Sequence, residues 1–483
     1  MWNLNLSRNS EWSLARQIYR QVSSLILDGR LAGGEALPST RELARDLGVS
    51  RHTVSEAYEM LLAEGYLCCS QGAPTRVAPD ISRQRQLSAD RSGSPAHAGS
   101  EANQRHRRPI RYDFRTGRPD LSQFPLASWR KAAGAAVAEL DLANWGYADA
   151  AGLPALRAEI AAWLFRSRGM TVAPDDVFIT AGATHALCIA VDLLGGPGRP
   201  VMMEDPCHIG LYQVLQSRHM PVIPLEIDQH GILAAGLDHP EAAAIYVTPS
   251  HQFPIGGILP AGRRSALIQS ACRYGQYILE DDYDSEFRYG GEPVSPLWSL
   301  APDRVIYIGT FSKTLFPAIR IGYAIVPSVL QKQWRFLRTH MDVQNPPFEQ
   351  AALAGFLRSR QFDRHVRRMR RIYAGKRNLL LQGLHMRFGD NLQVLGDAAG
   401  LHVAVALPDC RLPDDIIRKA REQGIRLATA RHHSIRQTAF ADTLILGFGH
   451  LEREALPAAV EVLADFIADE TGQGSIDPCG QCH

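Results

Sequence analysis

The sequence predicts two folded units: a short helix-rich one, then a large α/β unit on a mainly parallel sheet that ends in a smaller α+β lobe. Three observations carry this expectation. Residues 14 to 63 hold three closely spaced helix patterns with their own start and stop signals. From about residue 111, short apolar runs alternate with helical patterns. Between the two, residues 80–110 are rich in Arg, Ser, Gly, Gln and His and lack apolar periodicity, the composition of a linker.

The bulk numbers bound the function. The chain has 483 residues, and at roughly 100–200 residues per domain this means a multi-domain protein. Its 52 basic and 50 acidic residues leave a net charge of +2, so any nucleic-acid binding must come from a local surface. Eight cysteines are scattered, with only Cys68–Cys69 and Cys479–Cys482 close together, unlike a disulfide framework. The N-terminus lacks a signal-peptide layout. No apolar run reaches the ~20 residues of a membrane span. The expectation is a cytoplasmic protein with no membrane partner. Its expected parts are 1–79, a linker 80–110, a large unit 111–470 and a tail 471–483.

The front end comes first. Leu14, Ile18, Val22, Leu25 and Ile26 recur at three- and four-residue spacing and make one helical face. Ser39 and Glu42 form a capping-box pattern ahead of "TRELARDLG", which Gly48 ends. Ser50 then starts "RHTVSEAYEMLLAEG". Two short helices across a tight Gly-Val-Ser turn read as a helix-turn-helix. The second presents Arg51, His52 and Thr53 at its N-terminal end, where base edges are met. "GYLCCSQGAPTRVAP" fits a β-ribbon wing, with Arg76 placed to reach phosphate.

In the linker, six arginines stand against two acids from Arg83 to Arg108. A flexible segment of this length spans roughly 30 Å. Beyond it, "DVFIT", "PVMMED", "AAIYVTP", "QYILEDD", "RVIYIGT" and "IGYAIV" read as strands, with "THALCIAVDLL" and "AGRRSALIQSACRYG" as helices between them. After a long basic helix pattern from about residue 365, "GLHVAVAL", "IRLATA" and "LILGFG" suggest the smaller lobe.

Chemistry concentrates at four points. A lysine condenses with an aldehyde cofactor as a Schiff base. Pyridoxal 5'-phosphate also needs an acid at its pyridine nitrogen, a hydroxyl near its ring oxygen and a phosphate cradle. Lys313 follows the strand "VIYIGT" and is the candidate amine. Asp281 ends "YILED", and Tyr283 lies on the same side two residues later. Thr310, Ser312 and Arg320 are candidate phosphate ligands. Gly182, Ala183 and Thr184, in a strand–turn–helix junction, would turn N–H groups toward the same phosphate.

Two resemblances follow. "LPSTRELARDLGVSRHTVSEAYEMLLAEGYL" resembles the GntR class of winged helix-turn-helix DNA-binding domains. That resemblance implies DNA contacts by Arg41, Ser50, Arg51 and Thr53. "YADAAGLPALRAEIAAWL", "TAGATHAL", "EDPCHIG", "TPSHQFPIGGIL", "EDDYDSEFRY" and "GTFSKTLFPAIRIGY" resemble the fold type I pyridoxal-phosphate aminotransferase class over residues 111–470. Together they resemble the MocR subfamily of transcriptional regulators. The resemblance implies a homodimer, a double-stranded DNA operator, and an effector that is a small amine, an amino acid or pyridoxal phosphate itself.

Departures from the aminotransferase pattern bear on activity. Phe253 stands where the pattern has a cofactor-touching asparagine; His208 stands where it has a stacking aromatic, and its imidazole is the expected cofactor-stacking group with a smaller face. Ile445 stands where an arginine would hold a substrate carboxylate, which makes Arg431 the preferred effector anchor and Arg426 the other candidate. The expectation is a regulator whose aminotransferase-like domain senses rather than turns over, with at most residual transaldimination or half-transamination. The alternative is a competent aminotransferase carrying a DNA-binding domain. No metal site is expected. The tail's Cys479, Cys482 and His483 cannot complete a four-ligand zinc site.

Overall fold

The computed structural model describes residues 4–8, 10–69, 73–79, 109–196, 198–290, 294–408, 411–437 and 440–472. Residues 80–108 of the expected linker and 473–483 of the tail, with its Cys-x-x-Cys-His pattern, lie outside the described residues. The chain divides into two compact units, Met1–His106 and Arg107–His483.

The first unit forms as its punctuation dictates. Ser13 caps the helix Leu14–Leu27 by accepting from the Arg16 N–H. The helix Thr40–Leu47 starts with a complete capping box: the Ser39 N–H donates to Glu42 at 2.9 Å and the Glu42 N–H to Ser39 Oγ at 3.3 Å. It ends on Gly48, whose φ of 63° is the left-handed conformation glycine tolerates. Ser50 caps the helix Arg51–Ala63. Ile18, Val22, Val54, Ala57 and Leu61 are fully buried between the helices. Leu67–Cys68 and Arg76–Val77 pair antiparallel as the ribbon. The Arg76 guanidinium donates to the Gly34 carbonyl at 2.8 Å, so one of its N–H groups serves the fold.

The second unit is built on an eight-stranded sheet. Its spatial order is Val177–Thr180, Gly322–Ile325, Val305–Thr310, Tyr277–Asp282, Ala244–Val247, Val201–Asp205, Val222–Asp228 and Gly231–Ile232. The five strands from Val305–Thr310 to Val222–Asp228 pair in parallel. Pairings at both flanks are antiparallel. All six expected strands are present. The sequence does not mark the two last strands: Pro224 interrupts the propensity of Val222–Asp228, which is only partly buried, and Gly231–Ile232 is two residues long. The central strands are fully buried on both faces, as helices on each side require.

The smaller lobe holds an antiparallel sheet of Gln393–Leu395, His402–Ala406, Thr443–Gly447 and Ala428–Thr429. Its long helix Gln361–Phe388 packs on Leu456–Thr471, where Gly383 meets Val460 with no room for a Cβ. Tyr112–Asp113 pairs in parallel with Ile425–Arg426, tying the start of this unit to the lobe. Asp281 and Thr310 stand at the carboxyl ends of adjacent parallel strands, where α/β sheets place ligands.

Candidate cofactor pocket and DNA-reading helix

The strand Tyr277–Asp282 sorts its acids by alternation. Glu280 accepts from the Leu297 and Trp298 N–H groups, both at 2.9 Å, and Asp282 accepts from the Tyr307 hydroxyl at 2.6 Å and pairs with buried Arg168 at 3.0 Å. Asp281 faces the other way, into a cavity of about 230 Å³. Tyr283, Thr310, Ser312, Lys313, Arg320, Ala183, Thr184 and His208 line the same cavity. Nine of the ten expected cofactor residues therefore converge. Gly182 stays behind the wall as the N-cap of the helix Ala183–Leu194. Its φ is 93°, and a Cβ there would come within 2.9 Å of the Arg320 guanidinium. A larger hollow of about 550 Å³, lined by Lys131, Leu140 and Arg358 among others, contains none of the expected residues.

The electrostatics fit a charged aromatic ligand. Asp281 Oδ2 accepts from the Tyr246 hydroxyl at 2.9 Å, while its Oδ1 is buried without a partner. Burial pushes the Asp281 carboxyl up to about 7, against the pull of Tyr246 and Lys313. Such a carboxylate calls for an N–H⁺ donor. Lys313 Nζ donates to the Gly117 carbonyl at 2.9 Å, and burial holds its ammonium below the ordinary lysine range. Gly117 has φ 67°, and a Cβ there would lie 2.6 Å from Nζ. Burial, then Lys313, pull His208 down to about 4, so it is a neutral ring at pH 7. No side chain caps the helix Ala183–Leu194, which leaves first-turn N–H groups for an anion beside Arg320. Arg320, at φ 49°, also donates to the Ala181 carbonyl. The donor set and the orphaned Asp281 oxygen fit pyridoxal phosphate.

The structure adds residues that sequence reasoning did not single out. Thr116, Gly117, Leu187, Tyr246, Pro317 and His402 also line the cavity. Tyr246 carried no signal beyond strand propensity, because its partner lies 35 residues away. Phe253 lines the wall too, and its ring packs on Tyr283, His402 and His433 at centroid distances of 5.8, 5.3 and 5.0 Å.

The two candidate effector anchors lie apart from this cavity. Arg431 does not line the cavity; its guanidinium pairs with Asp414, which holds it elsewhere. Arg426 lies with Arg115 and His433 around a neighbouring hollow of about 540 Å³, which shares Thr116 with the cofactor cavity. Asp113 sits 3.6 Å from Arg426 and 2.6 Å from Arg115. Ile445 is fully buried in the strand Thr443–Gly447, opposite Ala404 and Ala428.

In the first unit, Arg41, Ser50, Arg51 and His52 are exposed and Thr53 is half-buried. Ser50 Oγ accepts from the Thr53 N–H at 3.1 Å and lies 2.8 Å from Thr53 Oγ1, so both residues serve the cap. Arg51 Nε donates to Thr40 Oγ1 at 3.3 Å, joining the two helices while leaving its other N–H groups outward.

Comparisons with known proteins agree with this division. Residues 14–77 match the family described as bacterial regulatory proteins, gntR family, and residues 112–436 match aminotransferase class I and II. The chain is 35% identical to a probable rhizopine catabolism regulatory protein MocR of Rhizobium meliloti, over 97% of each chain. It is 33% identical to an HTH-type pyridoxine biosynthesis transcriptional regulator PdxR of Corynebacterium glutamicum, covering 96% of this chain and 98% of that one. An archaeal alanine:glyoxylate aminotransferase shares the fold at a TM-score of 0.69 and 24% identity, over 74% of this chain and 91% of that one.

Proposed function

The chain belongs to the MocR-type regulators, which join a gntR-family helix-turn-helix to an aminotransferase class I and II domain, and from that premise we propose that its pocket holds pyridoxal phosphate at Lys313 and senses a small amine. The protein is a DNA-binding transcriptional regulator. The observation that carries the sensing proposal is the buried, partnerless Asp281 oxygen facing the same cavity as Lys313.

Each side chain has a role in that reading. Asp281 would hold the pyridine N–H⁺, with Tyr246 fixing its second oxygen. The Tyr283 hydroxyl would serve the ring oxygen. Arg320, Thr310, Ser312 and the N–H groups of Ala183 and Thr184 would hold the phosphate, with Gly182 giving them room. His208 would face the ring as a neutral imidazole. When bound, pyridoxal phosphate supplies an aldehyde that condenses reversibly with amines and a ring that withdraws electrons. Burial lowers the proton affinity of Lys313, which favours the free amine that such condensation needs. An effector amine would compete with Lys313 for the same carbon, or pyridoxal phosphate itself would be the signal.

Sensing rather than turnover is favoured by the lining. Among the described residues, Arg320 is the only arginine in the cavity wall, and it lies beside the phosphate cradle. Exposed Leu142, Trp145 and Tyr147 support a homodimer, whose two winged helices would read paired half-sites with Arg41, Arg51 and His52 at the bases or backbone. A DNA partner implies a cytoplasmic site of action. No helix among the described residues is long and apolar enough to cross a membrane.

The test is spectroscopic. Protein supplied with pyridoxal phosphate gains a visible absorption band, and Lys313→Ala does not. A wild-type protein that stays colourless with excess cofactor would rule out the proposal. Repeated turnover of an amino donor and a keto acid would favour the aminotransferase reading.

A further inference from the structure

Behind Tyr283 lies a buried pair that the cofactor reading leaves unused. His251 Nδ1 lies 2.9 Å from Asp284 Oδ1, and both side chains are about 1% exposed. The Tyr283 hydroxyl lies 3.0 Å from the same Nδ1 and donates to the His251 carbonyl at 2.9 Å. One nitrogen cannot donate to Asp284 and also accept from Tyr283. The tyrosine hydrogen goes to the carbonyl, so Nδ1–H faces Asp284 Oδ1 and the tyrosine oxygen together.

The other contacts of the pair cross to the smaller lobe. The Leu401 N–H donates to Asp284 Oδ2 at 3.1 Å, and His251 Nε2 lies 3.4 Å from the Gly396 carbonyl. Gly400 has φ 82°, and a Cβ there would collide with His251 Cε1 and lie 2.6 Å from Asp284 Oδ2. His402 starts the next strand and donates from Nε2 to the Pro254 carbonyl at 3.0 Å. His251, Asp284 and His402 stand close enough to suggest a metal cluster. Their hydrogen bonds already account for each group, and the Gly400 backbone occupies the space beside two of them.

We propose that His251 and Asp284 are positioning residues that aim the Tyr283 hydroxyl at a ring in the pocket and tie that aim to the smaller lobe. The Nδ1–H is shared between Asp284 Oδ1 and a Tyr283 lone pair, which fixes the hydroxyl oxygen; with a ring bound, the hydroxyl turns its one hydrogen from the His251 carbonyl to the ring oxygen. A displacement of the segment Gly396–Leu401 pulls on Asp284 and His251 and so on the hydroxyl. The lobe's position is thereby written into the state of the bound ring. The ring-facing half of this inference rests on pyridoxal phosphate binding; the lobe link does not.

The experiment is a pH titration of the visible band of the pyridoxal-phosphate-loaded protein. A donor aimed at the ring oxygen favours its ionised form and lowers the midpoint. Lys313, Asp281, Arg320, His208 and His402 face the same pocket and are kept in every variant. Tyr283→Phe is expected to raise the midpoint by about one pH unit, the scale of one charge-assisted hydrogen bond. His251→Ala raises it by most of that amount, and His251→Asn, which restores a donor near Nδ1, by less than half. The double variant Tyr283→Phe/His251→Ala shifts no further than Tyr283→Phe alone. An unchanged midpoint in His251→Ala, or additive shifts, overturns the proposal. The lobe link is read without cofactor: amide exchange over 396–402 speeds about tenfold in Asp284→Ala, which leaves the Leu401 N–H without its acceptor. Unchanged exchange there overturns the link. Absence of any visible band refutes pyridoxal phosphate binding, and the exchange result still decides for or against the link.

Discussion

Replacing Asp281 with asparagine separates the cost of the site from its use. Asp281 is 6% exposed, and its carboxyl is pushed up to about 7, chiefly by burial. An unfolded aspartate titrates near 3.9, so the folded site disfavours the anion by about three pH units, or about 4 kcal/mol. The sign follows from the direction. A folded pKa above the unfolded one gives stability that is present below about pH 4 and is lost as pH rises through about 7. The asparagine side chain carries no charge to lose. Its carbonyl accepts from Tyr246, but its unpaired N–H costs about 1–3 kcal/mol. The cofactor-free variant should therefore gain about 1–3 kcal/mol over wild type near pH 8, and no more than zero near pH 4. Urea unfolding at several pH values, followed on the far-ultraviolet signal, measures this. Added pyridoxal phosphate should stabilise wild type strongly and the variant little. A variant less stable than wild type near pH 8, or a difference that does not grow with pH, refutes the reasoning.

Other outcomes follow from the same geometry. Gly400→Ala forces a left-handed alanine against His251 and Asp284, and should cost about 2 kcal/mol or more in a thermal or urea melt. Ser50→Ala removes the cap of the reading helix and should cost about 1 kcal/mol of first-unit stability, seen by denaturation. Arg51→Ala should weaken DNA binding; if its contact is a phosphate, the slope of log affinity against log salt falls by about 1.

Much of this was legible in the sequence because local rules set it. Ser39–Glu42, Gly48 and Ser50 act through neighbours three residues away, and Asp281 and Tyr283 share a side by strand alternation. The strand ends that carry Asp281 and Thr310 were visible as apolar runs. Long-range geometry was not. Tyr246 meets Asp281, Leu401 meets Asp284 and Gly117 meets Lys313 only after the sheet and lobe assemble. Nothing near Arg431 in sequence names Asp414, 17 residues earlier, as its partner. Val222–Asp228 was hidden by Pro224 and by partial burial.

In the proposed function, one chain couples a lysine-borne cofactor to DNA reading. The direct measurement is the affinity of the protein for DNA selected by it from a random-sequence pool, with and without pyridoxal phosphate, for wild type and Lys313→Ala. Coupling of ordinary size predicts a change of about 5- to 150-fold for wild type and none for the variant. Equal affinities in all four conditions would mean that the cofactor site and the DNA-reading helices are not coupled.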